Sequence, residues 1–176
     1  IITAPERHID DFAKRFIQKP IRIVVGGNER QDSVRRGLEA AQTEEAIVFI
    51  HDGVRPFISL SEIKALADAA EKFGAAALGH PLTYTIKKMD EDQFAISTPD
   101  RRNYWEIYTP QCFKLETIRR LHRQAQAEHL AVTDDAALYE HYCGKVKLIE
   151  SQAAGLKITF PQDLALAEFW LRQVSK

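Results

Sequence analysis

Asp52 and Arg55 have the types and the spacing that phosphate chemistry requires. Asp52 closely follows an apolar run, residues 46–50, and Arg55 comes three positions later. A carboxylate suits a hydrated Mg²⁺ ion or a ribose hydroxyl, and a guanidinium group offers a fork of donors that matches a phosphate. Two simpler explanations stay open, since Asp52 could cap the segment that follows it and Arg55 could only pair with Asp52.

Two other parts of the chain could bring groups to the same place. Residues 26 and 27 are both glycine and follow the β-branched run 21–25, with Ser33 a short distance on. A plain turn would explain these glycines equally well. Lys157 stands between two apolar residues, where it could reach a substrate phosphate or keep an edge strand from pairing.

The elements that must position these groups alternate between short strands and helices. Strands are predicted at residues 21–25, 46–50 and 75–79, with helices between them. The run 46–50 is apolar throughout, which is typical of a strand buried on both faces of a parallel sheet. This order predicts an α/β fold, a Rossmann-like mostly parallel sheet with helices on both faces. Ligands bind beyond the carboxyl ends of such strands, where Gly27 and Asp52 fall.

Residues 1–176 are expected to form one domain, because single domains most often contain ~100–200 residues. Helical spacing and capping residues predict the other elements. Helices are predicted at 8–17, after Asp32 and Ser33, from Ser59 or Ser61 to about Phe73, at 115–128, at 134–142 and at 163–174, and short strands at 146–149 and 157–159.

The pattern changes after Pro81. Residues 83–87 alternate like a half-exposed strand, residues 94–98 predict a second strand, and 104–109 a third. We therefore expect residues 82–109 to project from the sheet as a β-arm. Because an isolated two-stranded hairpin is only marginally stable, this arm is expected to pack on another subunit.

Composition excludes several classes of protein. A formal net charge of -1 and a pI near 6.7 give no basic footprint for nucleic acid. No apolar run reaches the ~18 residues that a membrane-spanning helix needs. Cys112 and Cys143 lack the spacing of a zinc site or a disulfide framework. A reduced cytoplasmic compartment is expected.

Six segments occur in order along the chain. They are VGGNERQDSV at residues 25–34, HDGVRPF at 51–57, TIK at 85–87, RRNYWEIYTPQCF at 101–113, TDD at 133–135 and KITFPQDLA at 157–165. Together they resemble the 2-C-methyl-D-erythritol 4-phosphate cytidylyltransferase family, and the resemblance covers nearly the whole chain. The ribitol-phosphate cytidylyltransferases share the architecture, but the first segment favours the methylerythritol family.

The resemblance implies an enzyme of non-mevalonate isoprenoid biosynthesis that joins CTP to a sugar-alcohol phosphate with Mg²⁺ and releases pyrophosphate. It implies a homodimer in which the arm carries Thr85 and Arg101 to the partner's active site. It implies that Gly27, Asn28 and Ser33 contact the cytosine or its ribose, that Asp52 holds Mg²⁺ and the nucleotide, that Arg55, Thr85, Arg101, Thr109 and Thr133 line the sugar-phosphate pocket, and that Lys157 positions the substrate phosphate. Among these residues, Asp52, Arg101 and Lys157 would be catalytic.

Three positions depart from the family pattern. Tyr84 stands where an Asp is usual, Tyr108 where a Gln is common, and Gly155 where an Asn is usual. The family's N-terminal strand and its glycine-rich loop with an Arg and a Lys are not found in this sequence, and the chain is expected to start just after them. Two alternatives remain, a ribitol-phosphate cytidylyltransferase and a nucleotide-binding dimer without catalysis.

Overall fold

The computed structural model of the chain describes residues 1–43, 45–151 and 155–174. In chain order the elements are β1 (Ile2–Ala4), α1 (Ile9–Arg15), β2 (Ile23–Val25), α2 (Arg30–Glu39), β3 (Ile47–Ile50), α3 (Leu60–Phe73), β4 (Ala75–Pro81), β5 (Lys88–Met89), β6 (Ala95–Ser97), β7 (Trp105–Lys114), α4 (Leu115–Ala127), α5 (Asp135–Cys143), β8 (Lys147–Glu150) and α6 (Pro161–Val174). Within the described ranges, none of the helices has both the length and the apolar character that crossing a bilayer requires.

The described residues form a main sheet with the strand order β3, β7, β4, β8. β3 and β4 each pair antiparallel with β7, and β8 pairs parallel with β4. β3, β4 and β8 therefore share one direction, and β1 and β2 make a separate parallel pair. The predicted mostly parallel α/β sheet is confirmed. β7 is reversed because the chain turns back after β4, so that His80 lies opposite Glu106.

Helices cover both faces of the main sheet, as the sequence predicts. On one face, Phe113 of β7 packs with Leu38 of α2, Ile118 of α4 and Leu138 of α5. On the other face, Cys112 packs with residues of α3 and β4. Neighbouring residues of β7 point to opposite faces because side chains alternate along a strand. The sheet is thus buried on both faces and gives its loops a rigid base.

The predicted helix α3 is confirmed and begins where its cap requires. The Ser59 hydroxyl accepts the Glu62 backbone N–H at 3.2 Å, and the Glu62 carboxylate accepts the Ser59 backbone N–H at 2.8 Å. This reciprocal pair satisfies two donors that a helix leaves open at its start. The helix then runs to Phe73.

Two predicted strands are wrong. Residues 83–87 form no strand; β4 instead continues to Pro81, and the hairpin pairs residues 88–89 with 95–97. The alternation at 83–87 therefore reflects differences in exposure rather than sheet pairing. Residues 157–159 also form no strand, because the Thr159 and Phe160 backbone N–H groups donate to the Asp163 carboxylate at the start of α6.

The predicted start of α2 is also wrong. The helix begins at Arg30, so Asp32 and Ser33 lie inside its first turn rather than before it. The Ser33 hydroxyl donates to the Glu29 carbonyl at 3.2 Å, four residues back. A serine inside the first turn can bond in this way without interrupting the helix.

Candidate functional site

Four of the residues predicted for the site meet beyond the carboxyl end of β3. The Lys157 Nζ atom lies 3.5 Å from Asp52 Oδ2, and the Arg55 Nε atom lies 3.6 Å from the same oxygen. The Asp52 backbone N–H donates to the Thr109 hydroxyl oxygen at 3.0 Å. Asp52 follows β3, Thr109 belongs to β7 and Lys157 comes after β8. The sheet thus collects groups that are up to 105 positions apart in sequence.

Arg30 also belongs to this cluster, although no role for it was predicted from the sequence. Its Nε donates to Asp52 Oδ1 at 3.3 Å, and its Nη1 donates to Asp135 Oδ2 at 2.8 Å. Asp135 and His122 are both 1% exposed, and their side chains are 2.9 Å apart. A chain of charged and polar groups therefore leads from the site into the core. No local pattern in the sequence indicates this role, because both partners of Arg30 are distant in sequence.

The Asp52 carboxyl group remains ionised in this environment. Its partial burial, taken alone, would raise its pKa. The attraction of the three neighbouring cations outweighs that effect and holds the pKa of Asp52 below its usual range. Because the side chain is 18% exposed, the carboxylate is accessible from one side. The site combines one accessible negative charge with several donors that suit anions.

Arg55 is held by groups from three directions. Its guanidinium carbon lies 5.2 Å from the centre of the Tyr108 ring, and its Nη1 donates to the Gly155 carbonyl. Its own carbonyl contacts the His51 ring nitrogen at 2.8 Å. With 16% of its side chain exposed, Arg55 has one restricted orientation near Asp52.

The glycine loop after β2 is closed by Ser33. The Gly27 backbone N–H donates to the Ser33 hydroxyl oxygen at 2.9 Å. A Cβ atom on Gly27 would overlap Asp32, so only glycine fits at this position. Ser33 thus holds the loop against α2, while Asn28 stays exposed at its tip.

The remaining predicted residues lie apart from this cluster. Thr85 and Arg101 are exposed in the hairpin region, defined here as residues 82–104, and Arg101 donates to the Thr83 carbonyl. In the part of the chain that the structure describes, no hydrogen bond or ion pair joins either of them to Asp52. Thr133 is exposed in the loop before α5, next to Asp134, which caps that helix.

The donor set fits a magnesium ion that is shared with a substrate. No group of three or more His, Cys, Asp or Glu side chains suited to a metal occurs among residues 1–43, 45–151 and 155–174. Mg²⁺ seldom needs such a cage, since it commonly binds one or two carboxylates together with water and substrate phosphates. The ionised and partly accessible Asp52 can supply one such carboxylate.

Comparisons with known proteins agree on one family. The family model IspD, 2-C-methyl-D-erythritol 4-phosphate cytidylyltransferase, matches residues 1–173. Enzymes of that name from Caldanaerobacter subterraneus and Syntrophotalea carbinolica are 43% and 47% identical, over 98% and 85% of this chain. The chain spans 78% of the length of the first and 64% of the second.

Solved structures show the same relationship. A 4-diphosphocytidyl-2C-methyl-D-erythritol synthase from Anaerococcus prevotii has a TM-score of 0.87 at 30% identity, over 97% of this chain and 77% of its own. The 2-C-methyl-D-erythritol 4-phosphate cytidylyltransferase from Thermus thermophilus has a TM-score of 0.76 at 35% identity, over 85% of this chain and 73% of its own.

Proposed function

Because the chain belongs to the 2-C-methyl-D-erythritol 4-phosphate cytidylyltransferase family, and so to the nucleotidyltransferases, we propose that it transfers CMP from CTP to 2-C-methyl-D-erythritol 4-phosphate. An oxygen of the sugar phosphate attacks the α-phosphorus of CTP, a new P–O bond forms, and pyrophosphate leaves. The reaction is a step of non-mevalonate isoprenoid precursor biosynthesis in the cytoplasm. The observation that carries this proposal is the meeting of Asp52, Arg55 and Lys157 at one strand end.

Arg55 and Lys157 would bind the sugar phosphate and align it for attack. Their nitrogens lie 3.6 and 3.5 Å from the Asp52 carboxylate, longer than a good charge-assisted hydrogen bond. Lys157, which is about half exposed, can therefore turn toward a phosphate oxygen at little cost, whereas Arg55 offers its charge from a fixed position. Two anions must approach each other in this reaction, so fixed positive groups that neutralise their charge lower the barrier.

Asp52 would hold Mg²⁺ at the nucleotide. When bound, the ion neutralises charge on the phosphate oxygens and makes the α-phosphorus a better electrophile. Arg30 bridges Asp52 and the buried Asp135, which fixes the direction of the Asp52 side chain. This chain's own residues would thus orient the carboxylate before any ligand arrives.

The loop of Gly27 and Asn28 would receive the cytidine. Ser33 fixes the loop backbone at Gly27, so the loop needs little ordering when a ligand binds. The exposed Asn28 amide carries both a donor and an acceptor, which suits the edge of a cytosine base. Ser33 would therefore both hold the loop in place and contact the cytidine.

A homodimer would complete the site. The hairpin region exposes Met89, Phe94 and Ile96, which are between 58% and 71% exposed. Apolar side chains on a two-stranded hairpin favour packing against another surface. We propose a second copy of this chain as that surface, with the hairpin region as the arm and with Thr85 and Arg101 reaching the partner's site; residues 105–109 of the predicted arm 82–109 belong instead to β7 of the main sheet. Thr109 and Thr133 would line the pocket from the chain that holds Lys157.

Pyrophosphate release by the intact protein tests the function. The assay contains CTP and Mg²⁺ with either methylerythritol phosphate or ribitol phosphate, and Lys157→Ala is the control. We expect turnover with methylerythritol phosphate and its loss in the control. Turnover with ribitol phosphate alone would assign the protein to that other substrate, and no turnover with either would contradict catalysis.

A further inference from the structure

We propose that Tyr108 positions Arg55 in this protein and that Gly155 is a glycine in order to admit the Tyr108 ring. The inference rests on the proposed function, because it assigns Arg55 to the sugar phosphate. Tyr108 belongs to β7, and Gly155 comes after β8. They are 47 positions apart in sequence, and the structure brings them into one contact.

The Tyr108 ring is itself rigidly held. It belongs to β7, and it packs against the core cluster that includes Leu66 and Cys112. Its hydroxyl donates to Glu106 Oε2 at 3.0 Å. A ring that packs against the core and is hydrogen-bonded at its far end is a firm support for a neighbouring side chain.

Arg55 lies over this support. Its guanidinium carbon is 5.2 Å from the ring centre, a distance at which a cation is attracted by the face of an aromatic ring. Its Nη1 donates to the Gly155 carbonyl, and its Nε faces the Asp52 carboxylate. The ring, the carbonyl and the carboxylate together restrict the guanidinium group to one place.

The backbone alone does not explain the glycine at 155. Gly155 has a φ of 58°, a region that asparagine also tolerates. A Cβ atom at this position, however, would overlap Cε2 and Cζ of Tyr108. The ring of Tyr108 occupies the space that a side chain at 155 would need. An asparagine there is compatible with the backbone but not with the ring.

Tyr108 and Gly155 therefore act as one unit. A tyrosine at 108 gives Arg55 an aromatic face, and a glycine at 155 leaves room for the ring while its carbonyl accepts from Arg55. Loss of the ring frees Arg55 to rotate, and this lowers the affinity of the site for the sugar phosphate. The nucleotide loop at Gly27 is unaffected, so affinity for CTP is unchanged.

Steady-state kinetics of the intact protein with CTP and Mg²⁺ tests the positioning. Tyr108→Leu is expected to raise the KM for methylerythritol phosphate roughly 3- to 30-fold and to leave the KM for CTP unaltered. Tyr108→Phe keeps the ring and retains the low KM. In an Arg55→Ala background, Tyr108→Leu has no further effect. The proposal would be overturned if Tyr108→Phe and Tyr108→Leu raised the KM for methylerythritol phosphate equally, or if the KM for CTP rose in parallel. It would also be overturned if Tyr108→Leu had its full effect in the Arg55→Ala background.

Urea unfolding tests the contact without reference to activity. Gly155→Asn is expected to lower the unfolding midpoint in the wild-type background and to have little effect once Tyr108→Leu has removed the ring. Additive effects in this double-mutant cycle would overturn the contact. Absence of turnover in the wild-type protein would overturn the proposed function and, with it, the role of Arg55. The unfolding cycle would still decide whether Gly155 makes room for the Tyr108 ring.

Discussion

The Asp52 cluster and the hairpin region both carry proposed site residues, but their surroundings differ. Around Asp52, three cations and the Thr109 hydroxyl are fixed by contacts within one chain. In the hairpin region, Thr85 and Arg101 are exposed, and apolar side chains such as Phe94 face outward. The first region is organised by its own sheet, whereas the second has surfaces that a single chain leaves uncovered.

The two regions differ in what positions their functional groups. Groups that follow parallel strands meet because the sheet forces their carboxyl ends to one edge. Groups on a two-stranded hairpin have no such base and depend on what the hairpin packs against. We therefore expect substitutions near Asp52 to act within one subunit, and substitutions in the hairpin region to act across a dimer.

Mixing two inactive variants should give the largest effect. Arg101→Ala and Lys157→Ala are each expected to reduce pyrophosphate release roughly 100-fold. In a mixed dimer, the subunit that carries Arg101→Ala still has Lys157 and receives Arg101 from its partner. One of the two sites is then complete, and the other lacks both residues. Equal mixing after subunit exchange should restore about a quarter of wild-type activity.

Arg102→Ala is the matched control for that experiment. Arg102 is exposed, like its neighbour Arg101, but pairs with Asp100 within the hairpin region. We expect it to keep wild-type activity. No recovery in the mixture of the two inactive variants would contradict a hairpin region that serves the partner's site.

Thr109→Val should have the next largest effect, and it should act within one subunit. Thr109 is 9% exposed, and its hydroxyl accepts the Asp52 backbone N–H. Valine leaves that donor unsatisfied, so the free energy of unfolding should fall by about 1–3 kcal/mol. Thr109→Ser keeps the hydroxyl and should lose much less, and equal losses in urea unfolding for both variants would contradict the hydrogen-bond explanation.

Phe94→Ser should weaken the dimer while the single chain stays folded. Phe94 is 71% exposed, so its replacement removes little packing within the chain. Analytical ultracentrifugation should show roughly tenfold weaker self-association, since exposed aromatic residues often carry interface energy. Phe160, which is 60% exposed before α6, gives the control Phe160→Ser with unchanged association. Unchanged association of Phe94→Ser would place the interface elsewhere.

Thiol labelling should give the smallest effect. Cys112 is fully buried, and burial raises the pKa of its thiol to about 12. Cys143 is exposed at the end of α5. A thiol reagent at pH 8 should therefore label one cysteine in the native protein and two in urea. Rapid native labelling of both would contradict a rigid β7 beneath the site.

The centre of the site could be predicted from sequence because simple physics fixes it. Asp52 comes after a wholly apolar run, and such a run predicts a buried strand with its ligand-binding edge at the carboxyl end. The predicted meeting of Asp52, Arg55 and Lys157 follows from that edge. Their chemical roles stay predictions.

Other features could not be predicted because they depend on tertiary contacts. The pairing of Arg30 with Asp135 joins residues 105 positions apart, and no local pattern indicates it. The expected strand at 83–87 had the right alternation but no pairing partner. At 157–159, the Asp163 carboxylate competes successfully for backbone donors that a strand would need.

Replacement of Asp52 by asparagine tests the central claim most directly. The change keeps the size of the side chain and removes the charge that faces the three cations. Pyrophosphate release from CTP and methylerythritol phosphate, followed across a range of Mg²⁺ concentrations, should fall at least ~100-fold for Asp52→Asn and stay unchanged for Asp10→Asn, an exposed residue of α1. Wild-type turnover by Asp52→Asn at every Mg²⁺ concentration would contradict a reaction centred on this carboxylate.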